Sequence, residues 1–165
     1  MKLRVANVVT ESIVDGPGLR ATVFVQGCSH NCPGCQNPLT HDYEGGVEMN
    51  TLDILQGINA NPLLKGITIS GGEPFDQARA CAELAFFAKM HGLDVWVYTG
   101  YTYEELLERK DPDVTALLCQ TDVLVDGPFI ESKKSLGLKW RGSSNQRIID
   151  VPMSLECGAV VMYEE

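Results

Sequence analysis

The chain has 165 residues, 44% hydrophobic and 21% charged, and 22 Asp and Glu against 13 Lys and Arg give a net charge of −9. That length suits one domain over residues 1–165 with a core of its own, and the acidity argues against a nucleic-acid partner, which calls for a basic excess. No apolar run is long enough to cross a bilayer and the first residues lack a signal-peptide core, so the expectation is a cytoplasmic protein with no membrane role and reduced thiols.

In chain order, residues 3–9 read as a short strand or extended arm, and Asp15-Gly16-Pro17-Gly18 as a chain reversal. Residues 20–26 (Arg-Ala-Thr-Val-Phe-Val-Gln) form a β-rich run. Gly27 ends it, a cysteine-rich loop follows at once, and Asn37-Pro38 closes that loop. Asn50 or Thr51 caps a helix with Leu52, Leu55 and Ile58 on one face, stopped by Asn61-Pro62. Residues 66–70 form a second strand that runs into Gly71-Gly72-Glu73-Pro74. Asp76 then caps a long apolar helix through Met90, with Gly92 as its stop. Residues 94–98 are a third strand. Thr102 and Asp111-Pro112 each open a further helix, and residues 122–126 are a fourth strand. Residues 146–151 are a fifth strand and 159–162 a sixth.

Strands alternating with helices imply βαβ units on a mostly parallel sheet with right-handed crossovers. A closed eight-unit barrel takes about 250 residues. The expectation is therefore an α/β fold, an open partial (β/α) barrel of five to six mostly parallel strands.

Cys28, Cys32 and Cys35 follow a C-x3-C-x2-C spacing at the C-terminal end of a strand, where α/β folds place their chemistry. Three objects fit them. Zinc would need a fourth ligand, His30 or His41, and the second cysteine pair of a usual zinc signature is missing. A Cys32-x-x-Cys35 dithiol would leave Cys28 idle. An iron–sulfur cluster held by three cysteines would leave one iron open to a small molecule. The other cysteines are scattered: Cys81 and Cys119 read as small buried hydrophobes, and Cys157 has no evident role. Gly71-Gly72-Glu73-Pro74 reads either as a strand-to-helix turn or as a close approach to a ligand, with Glu73 as acceptor for an ammonium group. His30 and Asn31 lie inside the loop and read either as solvated loop residues or as hydrogen-bond donors to sulfur. Residues 131–147 carry Lys133, Lys134, Lys139, Arg141 and Arg147 against Glu131, either a solvated loop or a docking patch.

The cysteine triplet with Gly71-Gly72-Glu73-Pro74 resembles the radical S-adenosylmethionine superfamily. Asp15-Gly16-Pro17-Gly18-Leu19-Arg20, Gln26-Gly27-Cys28, Gln36-Asn37-Pro38 and Asp126-Gly127-Pro128-Phe129 narrow the resemblance to the glycyl-radical-enzyme activases. Arg141-Gly142-Ser143-Ser144-Asn145-Gln146-Arg147 resembles the signature of the branch acting on anaerobic ribonucleoside-triphosphate reductase. The resemblance implies a radical SAM core, an oxidoreductase activity, and two cofactors, a [4Fe–4S] cluster and S-adenosylmethionine. It implies Cys28, Cys32 and Cys35 as metal ligands. Gly34, Cys35, Gln36, Gly71, Gly72 and Glu73 would meet S-adenosylmethionine. No side chain would act as acid or base, because a 5′-deoxyadenosyl radical would take the hydrogen from a glycine of the reductase. The implied partners are the reductase, in a heterotetramer, and a flavodoxin-like reductant. Activation of another glycyl-radical enzyme such as pyruvate formate-lyase, small-molecule radical chemistry, and a plain dithiol or iron–sulfur redox role are the alternatives.

Overall fold

The computed structural model describes residues 1–165. One open sheet of seven strands runs in the order β3-β1-β2-β4-β5-β6-β7. They are β1 (Lys2–Ser12), β2 (Arg20–Val25), β3 (Val47–Asn50), β4 (Gly66–Gly71), β5 (Asp94–Tyr98), β6 (Val123–Asp126) and β7 (Arg147–Asp150). The helices are α1 (Thr51–Asn59), α2 (Ala78–Met90), α3 (Tyr103–Glu108), α4 (Pro112–Gln120) and α5 (Val151–Cys157). No helix is long and apolar enough to cross a membrane.

The four central strands, β2, β4, β5 and β6, are parallel, as the βαβ pattern requires. The expectation of five to six mostly parallel strands needs correction at both margins. Strands β1 and β3 pair antiparallel on one side, and β7 pairs antiparallel with β6 on the other. The cause is the length and kind of the connections. Seven residues join β1 to β2, too few for a crossover, and only a single 3₁₀ turn at Glu131–Lys133, with no α-helix, lies between β6 and β7. The expected sixth strand shrinks to one bridge, Ile149 to Met162. Two elements were not foreseen: β3, mostly exposed and only four residues long, and α5, which Asp150 caps by accepting from Met153 N at 3.0 Å.

Side-chain alternation gives the sheet two different faces. Ile67, Ile69, Val95, Val97 and Leu124 are fully buried in one core with Cys81, Leu84 and Ala85 of α2 and Leu117 of α4. Leu55 and Ile58 of α1 are buried as expected, whereas Leu52 is 47% exposed and Thr51 and Ile54 are buried in its place. Trp96, Val123 and Val125 point to the other face, where Trp96 meets Trp140 and Tyr163 edge-on.

At the N-terminal ends of the parallel strands lies a buried cation. Arg20, Gly66 and Asp94 stand in one row across β2, β4 and β5. With no side chain at Gly66, the Arg20 guanidinium crosses β4 and pairs with Asp94. It also donates to Thr68 Oγ1 at 2.9 Å, Ile67 O at 2.8 Å and Pro17 O at 3.1 Å. A Cβ at Gly66 would collide with the Asp94 carboxylate. The Asp15-to-Arg20 motif is thus a staple closing the base of the sheet. Asp15 completes it by accepting from Ser12 and Thr22 hydroxyls at 2.7 and 2.9 Å.

Candidate functional site

The cysteine loop leaves the C-terminal end of β2 beside the turn that leaves β4. Cys28, Cys32 and Cys35 are free and partly exposed. They line one cavity of about 110 Å³, together with Gly71 and Gly72 of the next strand's turn and His41. Burial raises the Cys28 thiol to about 11, and the Glu73 carboxylate adds to the rise. Metal binding at Cys28 must therefore displace a proton.

The cavity distinguishes the objects that three thiols could hold. A zinc ion would need a fourth protein ligand beside the three thiols. His30 Nε2 faces a carboxylate rather than the thiols. All three cysteines line one space, and His41, whose buried Nε2 has no hydrogen-bond partner, lines it with them. Three thiols around a common void fit a multi-iron cluster.

Glu73 does something other than wait for an ammonium group. Its carboxylate is fully buried and already engaged. It accepts from Phe75 N at 2.9 Å, Thr99 Oγ1 at 2.8 and 2.9 Å, Gly100 N at 2.8 Å and His30 Nε2 at 2.6 Å. A buried charge is tolerable only with such a complement of donors. The carboxylate in turn requires His30 to carry its proton on Nε2, and this hydrogen bond holds the imidazole above its ordinary pKa. Glu73 thereby joins the loops after β2, β4 and β5. Gly72 serves the same junction, since a Cβ there would collide with the Gly27 carbonyl. Its close approach is to protein backbone, and its α-carbon also lines the thiol cavity.

Asp76 departs from its expected role as the cap of α2. Pro74–Gln77 is a 3₁₀ turn capped by Glu73, and α2 begins only after it. The Asp76 carboxylate instead accepts from Ser29 N at 3.1 Å, Tyr43 OH at 2.8 Å and Tyr101 OH at 3.2 Å. His30 likewise corrects the reading of a solvated residue: it is half-buried, edge-on to Tyr101 with centroids 4.4 Å apart. Neither role had a sequence signal, because each depends on loops from different strands meeting.

A second cavity of about 470 Å³ adjoins the first through Cys35, Ser70, Tyr98 and Phe129. Gln36 lines it, as do Arg141 and Gly142. Gly34 lines neither cavity; its α-carbon lies against the Glu131 carboxylate. The two late motifs form one unit. Gln146 accepts from Gly142 N at 2.9 Å and donates to Gly127 O at 3.1 Å, while Asn145 donates to Pro128 O at 2.8 Å. Arg147 bridges Asp126 and Glu104 at 2.5 and 2.6 Å.

The basic stretch is less available than its composition suggests. Arg147 is paired, Lys139 meets Glu165 at 2.9 Å, and Arg141 donates to Gln146 O at 2.8 Å. Lys133 and Lys134 remain exposed. Cys81 is buried as expected, and Cys119 is not: it faces solvent, since Val114, Leu117 and Leu118 form the inner face of α4.

A family model described as a 4Fe-4S single cluster domain matches residues 14–149. An anaerobic ribonucleoside-triphosphate reductase-activating protein from Vibrio cholerae is 40% identical over 144 residues, spanning 82% of this chain and 90% of its own. The protein of that name from Escherichia coli is 38% identical, spanning 81% and 90%. The one from Enterobacteria phage T4 is 35% identical, spanning 82% and 86%. Among solved structures, QueE from Escherichia coli aligns at 16% identity and a TM-score of 0.46 over 62% of this chain and 54% of its own, too low to bear on fold or activity. With the cluster-domain match running from the turn before β2 to the last strand, the chain belongs to the family of anaerobic ribonucleoside-triphosphate reductase-activating proteins.

Proposed function

We propose that the protein is a radical S-adenosylmethionine activase that generates the glycyl radical of an anaerobic ribonucleoside-triphosphate reductase. The observation that carries this reading is the convergence of Cys28, Cys32 and Cys35 on one cavity beside the Gly71-Gly72 turn. A [4Fe–4S] cluster bound there would supply the electron for reductive cleavage of S-adenosylmethionine, whose radical product would take a hydrogen atom from a glycine of the reductase.

The chain's own residues bind and orient. Cys28, Cys32 and Cys35 would hold the cluster, and the Gly71-Gly72 turn, which lines the same cavity, would border it. Cys35 and Gln36 would lie along the nucleotide, where the two cavities join, and Gly34 would shape their loop from behind. Glu73 would act on S-adenosylmethionine through its backbone, because its carboxylate is committed to protein donors. Phe129, Tyr98 and Trp140 wall the larger cavity and would keep water from a reactive radical. Exposed Lys133 and Lys134, next to the cysteine loop through Glu131, offer a positive edge for an acidic flavodoxin-like reductant. The assembly would be a heterotetramer with the reductase, in the cytoplasm.

The test is anaerobic. Protein loaded with iron and sulfide, reduced, and given S-adenosylmethionine should release 5′-deoxyadenosine; with the reductase added, a glycine-centred paramagnetic signal should grow. A loaded, reducible cluster that leaves S-adenosylmethionine intact would make the protein an electron carrier instead.

A further inference from the structure

We propose that His30 is a positioning residue. Bonded to Glu73, and seconded by Ser29 on Asp76, it latches the cysteine loop to the turn after β4 and so sets where the thiols stand. This rests on the reading that the three cysteines hold an iron–sulfur cluster.

The cysteine loop has little structure of its own. Between Cys28 and Cys35 its one internal backbone hydrogen bond is Cys35 N to Cys32 O at 3.2 Å. Its position must come from outside. Cys28 N donates to His41 O at 3.3 Å, and two consecutive residues tie the loop to the turn after β4: Ser29 N and the His30 ring each meet one of its carboxylates, Asp76 and Glu73. The two anchors differ in burial. Asp76 binds at the rim, in company with the Tyr43 and Tyr101 hydroxyls. Glu73 binds in the interior and is itself fixed by Thr99 and Gly100 of the loop after β5.

His30 is held as a planar group as well as a donor. Tyr101 lies edge-on against it, and the Gly100 α-carbon lies against its Cδ2 edge. The ring therefore has one orientation, with Nε2 on Glu73. Cys28 and Cys32 flank this anchor, two residues before and two after. Loosening it frees both thiols at once, whereas Cys35 keeps its own contact from Asn37 N at 3.4 Å.

The experiment compares His30→Phe, which keeps a flat ring but loses the donor, with His30→Gln, whose amide nitrogen can reach the Nε2 position. Anaerobically reconstituted proteins are challenged with an iron chelator, and the reduced clusters are compared by electron paramagnetic resonance. Losing a hydrogen bond to a buried carboxylate should speed iron release about tenfold in His30→Phe and broaden its signal, with His30→Gln close to wild type. A general folding role would not be rescued by Gln. Equal release from wild type and His30→Phe, or release from His30→Gln as fast as from His30→Phe, would overturn the latch. If His30→Phe does not fold, Asp76→Ala decides: faster release supports the latch and unchanged release overturns it. A wild-type protein that takes up no cluster would instead overturn the reading beneath it.

Discussion

The same three strands, β2, β4 and β5, are tied together at both ends by a buried charge, and the two ties differ in what they leave over. At the base, the Arg20 guanidinium is surrounded by Asp94, Thr68 and backbone carbonyls, and its hydrogen bonds are all to protein groups of the staple itself. At the top, the Glu73 carboxylate is equally saturated, yet the loops it gathers carry three free thiols and open onto two connected cavities. One end spends its polar groups on itself. The other uses one buried anion to hold still a set of groups that have no protein partner. The expected division is that damage at the base lowers stability, while damage at the top lowers cofactor binding.

The largest effect should come from the thiols. Cys28→Ala, Cys32→Ala and Cys35→Ala should each lose the cluster, read as iron and sulfide per chain, since two thiolates cannot hold three corners. Cys81→Ala, Cys119→Ala and Cys157→Ala should stay loaded. An intact cluster in Cys32→Ala would break the comparison at its functional end.

At the base, Arg20→Met removes one partner of a buried ion pair and should cost about 3 kcal/mol in urea unfolding. The fraction of folded protein that takes up iron should not change. Loss of cluster uptake without loss of stability would invert the proposed division. Gly66→Ala probes the same staple more gently. Its methyl group would wedge the Arg20–Asp94 pair apart, for about 2 kcal/mol of destabilisation.

The smallest effect is expected at the surface. Arg147 holds the Glu104 carboxyl below its usual range, but Glu104 is half exposed and solvent screens the pair. Glu104→Gln should cost under about 1 kcal/mol at neutral pH. Because the folded carboxyl is the stronger acid, this contribution is complete above the unfolded value of about 4.3 and fades as pH falls through the folded one. The variant and wild type should therefore converge in acid unfolding.

Much of this was legible in the sequence, for local reasons. The run 66–70, the Thr102 capping box and the Asp111-Pro112 helix start are written in adjacent residues, and all three stand in the structure. Asp150-Val151-Pro152 carried a similar helix-start signal and was absorbed into a strand reading, which hid α5. Strand β3 was hidden because an exposed four-residue edge strand has no burial pattern. The thiols were found by their spacing, whereas His30, Asp76 and Thr99 were not. Their contacts join residues 25 to 47 positions apart, and only the parallel order of β2, β4 and β5 brings them together. Glu73 was singled out for a ligand because its commitment to Thr99 and Gly100 is equally invisible in one dimension.

The most direct test is Mössbauer spectroscopy of the anaerobically reconstituted, isotope-enriched protein, before and after S-adenosylmethionine is added. Three cysteine ligands and an open corner should give one iron whose isomer shift and quadrupole splitting move on addition while the others stay. A cluster whose irons are all unaffected, or a protein without iron, would contradict the assignment of Cys28, Cys32 and Cys35.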